Sequence, residues 1–299
     1  VFLTPDGRPF FGGTYFPPED RYGLPGFSRL LELLADAWKN RRHEVENSAR
    51  SFAEGLSRIA FAGVGVSAAA APVEAADLLR AAVRLAQEID PVHGGFFGAP
   101  KFPHPLELSF LLRFGVRGIE GASETEREAA ARGVRITLEA MRRGGIRDRV
   151  GGGFHRYAVD DAWQVPHFEK MLYDNALLLR LYAEASVAFG DERFGSVARE
   201  IASWLAREMT DAGGGLYASQ DADSEGVEGK FFVWTKAELR EALGDDLGAL
   251  AAAHFGVTDE GNFEHGTSVL QEAMEPAELS RAFGLEVADV QARLEEARR

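Results

Sequence analysis

Cysteine is absent from all 299 residues. Its absence excludes disulfides, thiolate metal sites and a cysteine nucleophile from this segment. Long apolar runs are missing too. Nothing approaches the ~18 consecutive apolar residues of a membrane span, and no signal-peptide pattern opens the chain. Positive charge is scarce, with 33 Lys and Arg against 47 Asp and Glu and a formal net charge of −14. So acidic a surface repels phosphate backbones and anionic lipid, so neither nucleic acid nor a membrane is expected as a partner. Neutral polyhydroxylated small molecules are not disfavoured, and a cytoplasmic location suits the composition. The chain is 45% hydrophobic and 27% charged, the profile of a soluble globular protein with enough length to bury a core.

Residues 1 to 27 differ from the rest. `VFLTPDGRPFFGGTYFPP` places two apolar runs around Pro5-Asp6-Gly7 and reads as a β-hairpin. After Ser28, a candidate N-cap, apolar residues recur at helical spacing and predict one long helix to about Ala60. Residues 61 to 72 are small, rich in Ala and Gly, and aperiodic, which marks a linker. Helical patterns follow: Ala75 to Ile89, a short one after Pro105, and one from the Ser123/Glu126 capping box to Arg143. Others run from Phe168 to Phe189, from Asp191 to Met209, and behind a second capping box at Thr235/Glu238. Shorter ones are expected at 246 to 254, 276 to 283 and 286 to 298. Beyond the N-terminal hairpin, strand is expected only at 231 to 235 and at 216 to 219.

One regularity organises this pattern. `GGFFGAPKF` begins at Gly94, `GGFHRYAVD` at Gly152 and `GGLYASQDAD` at Gly214. Helices separate the copies, so a ring or solenoid of helical hairpins is expected, its polar loops emerging at one end beside Phe96, His155 and Tyr217 and sharing one hollow.

The loops carry the chemistry. In `RDRVGGGFHRYAVDDAWQVPHFEKMLYDNA`, residues 147 to 176, His155 and His167 are candidate general acids or bases and Glu169 a candidate carboxylate, placed by the helix reading in a first turn. Arg156, Asp160 and Asp174 are candidate hydroxyl partners, and Phe154, Tyr157 and Trp163 candidate faces for a sugar to stack on. `DADSEGVEG` resembles the start of a calcium loop, but its twelfth position is Phe232 rather than a bidentate Glu. Asp221 is therefore read as a candidate catalytic carboxylate, with Asp223, Glu225 and Tyr217 in substrate contact. Lys101, held between prolines in `GAPKFPHP`, is a further candidate for substrate binding. No His-Glu-x-x-His occurs, and no metal or other cofactor is expected.

These motifs, with `GGIRDRVGGGFHRYAVDDAWQVPHFEKMLYDNA` and `GGLYASQDADSEGVEGKFFVWT` the longest, make the chain resemble the thioredoxin-domain proteins related to spermatogenesis-associated protein 20. The resemblance implies a mainly α fold. Residues 1–60 would be the C-terminal hairpin and helix of a thioredoxin-like α/β domain, 61–72 a linker, and 73–299 an incomplete (α/α)6 toroid. That toroid is similar to six-hairpin glycosidases and N-acylglucosamine 2-epimerases. It also implies an internal fragment, cut at both ends, that lacks the Cys-x-x-Cys motif of the family and cannot itself perform redox chemistry. Two chemistries fit the loops. Epimerisation or isomerisation needs a base and an acid on opposite faces of a sugar, and glycoside hydrolysis needs two carboxylates. A non-catalytic module or scaffold partnering the thioredoxin-like domain fits the same fold.

Overall fold

The computed structural model describes residues 1–21, 23–61 and 72–298. The chain divides into two compact units, residues 1–72 and 73–299. The linker expected at 61 to 72 lies, apart from its ends, outside the described residues.

In the first unit, β1 (Phe2–Leu3) and β2 (Pro9–Phe11) pair antiparallel across the Pro5-Asp6-Gly7 turn, as the sequence predicts. Gly7 adopts φ +85°, a conformation that favours glycine. The expected single helix is two, α1 (Phe27–Asn40) and α2 (Arg42–Phe61), broken where Arg41 leaves helical geometry at φ −129°. Residues 39 to 43 are all polar, so no side chain there extends the buried stripe that Leu30 and Val45 continue on either side. The first turn begins after Gly26 rather than Ser28.

The second unit is helical, with strands of two residues confined to its loops. α3 (Ala75–Gln87) begins in a reciprocal Glu74/Asp77 cap. α4 (Pro105–Arg117) has Pro at its first position, where no backbone N–H is needed. α5 (Glu124–Arg143) opens with the predicted Ser123/Glu126 box. The loop after it carries β3 (Tyr157–Ala158), β4 (Pro166–His167) and β5 (Lys170–Met171). α6 (Leu172–Phe189) and α7 (Glu192–Glu208) follow, joined only by Gly190 in the left-handed region and the Asp191 cap. Next come β6 (Ser219–Gln220), β7 (Asp223–Ser224), β8 (Val227–Glu228) and β9 (Val233–Trp234). α8 (Lys236–Phe255) starts at the Thr235/Glu238 box and kinks at Gly244, so the helix expected at 246 to 254 is its second half. β10 (Ser268–Val269), α9 (Pro276–Phe283) and α10 (Val287–Ala297) complete the unit.

α4 packs on α5 and α6 on α7, each pair an antiparallel hairpin. α4 also lies against α6 and α5 against α7. Helices of like direction thus share a layer, the two-layered packing of an α/α toroid. One core joins the hairpins through Leu108, Leu111, Val134, Leu138, Leu178, Tyr182, Phe194 and Ile201. The approach of α4 to α5 is close enough that a Cβ on Gly115 would lie 2.9 Å from the Ala131 Cβ.

The helix expected from Phe168 begins four residues later, at Leu172. Residues 170 and 171 are instead used by the β5–β6 pairing, and Phe168 is buried against Phe232 at 5.7 Å. Glu169 therefore precedes the helix rather than lying in its first turn. Strand at 231 to 235 shrinks to β9, and that at 216 to 219 to Ser219, the first residue of β6.

Candidate functional site

The loops that precede α4, α6 and α8 are knitted together at one end of the second unit. Lys101 and Ala158 exchange backbone hydrogen bonds of 2.8 and 2.9 Å. Lys170 and Met171 pair with Gln220 and Ser219, and β9 pairs with β10. Trp163 Nε1 donates to the His93 carbonyl at 2.9 Å. The first two Gly-Gly motifs are packing turns within this rim. Gly94 has φ +67°, and a Cβ there would fall 2.5 Å from Thr137 Cα on α5. Gly153 has φ +78° and lies so close to Trp204 of α7 that a Cβ would sit 2.9 Å from the indole. The three motifs thus share an end but not a hollow. Phe96 packs on His104 at 5.1 Å, His155 is buried, and Tyr217 is exposed with its hydroxyl on Asp211 at 3.0 Å.

Five predicted residues converge on the rim surface. Antiparallel pairing of β3 with β4 sets Tyr157 opposite His167, and their rings stack at 5.1 Å. Phe102 extends this aromatic surface, 4.7 Å from Tyr157. His167 Nδ1 lies 2.6 Å from Glu228 Oε1 and its Nε2 lies 3.7 Å from Glu169 Oε2. An ionised Glu228 can only accept, so Nδ1 is the donor of that bond and the ring is oriented with Nε2 facing Glu169. Arg156 Nη1 donates to Glu169 Oε2 at 2.9 Å, while its buried Nε has no partner among the described residues. Asp174 stands in the first turn of α6 and is half-buried. Burial pushes its carboxyl up to about 6; the Glu169 charge adds to the rise and Arg156 opposes it. The surface thus offers a histidine oriented by a carboxylate, a second carboxyl that gains a proton near neutral pH, a guanidinium and an aromatic face.

His155 lies beneath this surface. It is 2% exposed, its Nδ1 is 2.9 Å from the Phe168 carbonyl, and its ring meets Phe168 and Phe232 edge-on. Burial, reinforced by the Lys170 charge, pushes its pKa down to about 3, so the ring is neutral. The residues beside it carried no signal that singled them out. Lys170 Nζ donates to Asp148 Oδ2 at 2.6 Å and to the Gly152 carbonyl at 2.8 Å. Burial would raise Asp148, yet the Lys170 ammonium outweighs it and holds the carboxylate below its ordinary range. Only the run of charge around three glycines hinted at such a buried pair, because the two residues stand 22 apart in the chain.

The other candidates serve the loops themselves. Lys101 is buried, with Nζ on Asp90 at 3.0 Å and on the Gly94 carbonyl at 2.9 Å, so its ammonium ties its own loop together. Phe154 is core, stacked on Tyr182 at 5.4 Å, and Trp163 is wholly buried. Asp160 accepts from the backbone N–H groups of Ala162 and Val165 at 2.7 and 2.6 Å, which closes its own turn. Asp221, Asp223 and Glu225 are exposed in the β7–β8 hairpin: Asp221 accepts from the Asp223 N–H at 3.1 Å, Asp223 stands opposite Glu228, and Glu225 pairs with Lys230. Among the described residues no group of three or more His, Asp or Glu side chains is arranged to hold a metal ion, and no helix is long and apolar enough to cross a membrane.

The family model Thioredox_DsbH, described as a protein of unknown function, DUF255, matches residues 1–57. Spermatogenesis-associated protein 20 of Rattus norvegicus is 38% identical over 323 residues, which cover 98% of this chain and 40% of that protein. Its namesake in Homo sapiens is 39% identical over 281 residues, covering 88% and 35%. An uncharacterized protein of Caenorhabditis elegans is 33% identical over 327 residues, covering 100% and 43%. The chain thus spans less than half the length of the curated relatives it matches. Among solved structures, a sugar epimerase from a ruminal bacterium superposes over 73% of this chain and 52% of its own, with 15% identity and a TM-score of 0.40.

Proposed function

We propose that this chain, which belongs to the family of spermatogenesis-associated protein 20, presents on its helical rim a sugar-binding surface that performs acid–base chemistry on a neutral sugar. The observation that carries the reading is the pairing of unlike groups around Glu169. His167, oriented by Glu228, is placed to act through Nε2 as the base, while Asp174 takes up its proton near pH 6. Epimerisation or isomerisation beside a carbonyl requires these two roles: a base that removes the carbon-bound proton and an acid that protonates the carbonyl oxygen. Tyr157 and Phe102 supply the aromatic face on which a sugar ring stacks, and Arg156 a donor for its hydroxyls.

One observation favours a second reading. Asp174 and Glu169 are close enough for the charge of one to raise the other, and two carboxylic groups held in different protonation states are the requirement of glycoside hydrolysis. The chemistries separate in one experiment. Monosaccharides and disaccharides are incubated with the full-length protein in deuterium oxide and followed by NMR. Deuterium entering at C2, lost in both His167→Gln and Asp174→Asn, supports epimerisation or isomerisation. Release of a monosaccharide without C2 exchange supports hydrolysis. Saturable binding with neither product reduces the surface to a binding module, and no binding at all ends the carbohydrate reading.

A further inference from the structure

The cavity under His155 is separate from the rim surface. It has a volume of about 210 Å³, and Asp148, His155, Lys170, Trp204, Gln220 and Phe232 are among its walls. None of Arg156, Tyr157, His167, Glu169 or Asp174 lines it. Exposed parts of Phe231 and Arg207 also border it, so solvent reaches the space.

Its polar walls are incompletely used. His155 donates from Nδ1 to the Phe168 carbonyl, which leaves Nε2 as a lone-pair acceptor without a partner among the described residues. Lys170 carries three N–H groups and spends two, on Asp148 and on Gly152. Gln220 uses its carbonyl oxygen on Trp204 Nε1 at 3.3 Å, which leaves its amide N–H groups free to donate. The space therefore offers one acceptor and several donors to whatever fills it. A hydroxyl meets both needs at once, because it donates to His155 Nε2 while its oxygen accepts from Lys170 or Gln220. Charge narrows the class further. Each cation of the lining has a carboxylate partner: Lys170 has Asp148, Arg147 has Glu200, Arg149 has Glu272 and Arg207 has Glu208. An anion therefore gains no uncompensated cation, and a cation meets the Lys170 ammonium. The Lys170 ammonium lies over the Trp204 and Phe232 rings, 5.2 and 5.0 Å from their centroids, so these aromatics hold it in place at the cavity wall. The volume lies below the ~300–1,000 Å³ of drug-sized sites.

We infer that this cavity is a second ligand site, one that takes a single small neutral polyol of monosaccharide size or less, with a hydroxyl hydrogen-bonded between His155 Nε2 and Lys170 Nζ. It stands independently of the rim chemistry. The competing occupant is a cluster of ordered waters, which such a polar space also accommodates.

The test is isothermal titration of the full-length protein with glycerol, erythritol and D-mannose at pH 7. The variants are His155→Phe, which keeps a planar ring and removes the acceptor, and the rim variant Asp174→Asn. Saturable binding of at least one polyol is expected in the wild type, unchanged in Asp174→Asn and weaker by about 10-fold or more in His155→Phe, which loses a bond of roughly 1.4 kcal/mol. A second measurement covers the case in which His155→Phe does not fold: the ¹⁵N resonance of His155 Nε2 in the wild type should shift on saturation with the polyol. Absence of saturable binding by all three probes overturns the inference, as does equal affinity in His155→Phe, an unmoved Nε2 resonance, or binding abolished by Asp174→Asn alone.

Discussion

Glu272 offers the sharpest test of how the rim is anchored to the helices. It follows β10 and carries a side chain 7% exposed between two arginines. Arg142 Nη1 and Nη2 reach its two oxygens at 2.8 and 3.0 Å, and Arg149 Nη2 reaches Oε2 at 3.0 Å. Burial alone would raise the Glu272 pKa, but the two guanidiniums reverse the effect and hold it at about 2, against 4.5 in an unfolded chain. The difference corresponds to roughly 3 kcal/mol of folding stability, at ~1.4 kcal/mol per pH unit. Because the folded value is the depressed one, this contribution is complete above pH ~4.5 and disappears as the pH falls towards 2. Glu272→Gln keeps the shape and deletes the charge. Arg149, which burial and the neighbouring Arg147 already pull down to about 9, then loses the carboxylate that holds it. Breaking a buried pair from one side costs about 3–5 kcal/mol. Urea unfolding at pH 7 should therefore show the variant destabilised by about 3 kcal/mol, with the gap to wild type narrowing between pH 4.5 and 2.5. A loss under ~1 kcal/mol at pH 7, or a gap that stays constant through that window, would refute the reasoning.

Three further outcomes are expected. If Asp174 is the acid of the rim, kcat/KM for sugar turnover should fall as the pH rises through about 6, and a pH–rate profile of Asp174→Asn should lack that limb at much lower activity. Lys101→Met should lower stability by about 3 kcal/mol in chemical denaturation, because it strands the buried Asp90 carboxylate, whereas a surface lysine would cost almost nothing. Gly94→Ala should lower the melting temperature by several degrees, equivalent to about 2 kcal/mol or more. A Cβ there meets the α5 backbone in a conformation that L-residues avoid, and an unchanged melting point would remove Gly94 from the packing of the rim.

Much of the architecture is legible in the sequence because it depends on local rules. The Ser123/Glu126 and Thr235/Glu238 boxes announce their helices, since a cap is satisfied within four residues of chain. The Gly190-Asp191 junction forces α6 and α7 into a hairpin for the same reason. Repeated Gly-Gly doublets place three loops at one end, because each doublet recurs after a helical hairpin. Legibility fails where a distant segment competes. Residues 168 to 171 fit the helical period, yet β6, nearly fifty residues later, takes Lys170 and Met171 into a strand pair. The break at Arg41 escapes the apolar pattern because Ala37 and Val45 keep the helical period across the polar residues 39 to 43.

The candidate site divides along the same line. Residue types and spacing were enough to nominate His155, His167, Glu169, Arg156, Tyr157 and Asp174, since unlike polar groups crowded beside glycines have few structural uses. Which of them meet could come only from the folded chain. The strand register stacks His167 on Tyr157, Glu228 arrives from another loop to orient it, and the first turn of α6 brings Asp174 near Glu169 and Arg156. Lys101 and Asp160 have the same chemistry in sequence, but burial and backbone partners commit them to holding the loops. The sequence by itself determined most of the helices, the α6–α7 pairing and the end from which the polar loops emerge, because those follow from local propensity and apolar period. Tertiary structure alone decided which charges are buried together, as with Asp148 and Lys170. Desolvation and pairing act over a few ångströms of space, whatever the distance along the chain.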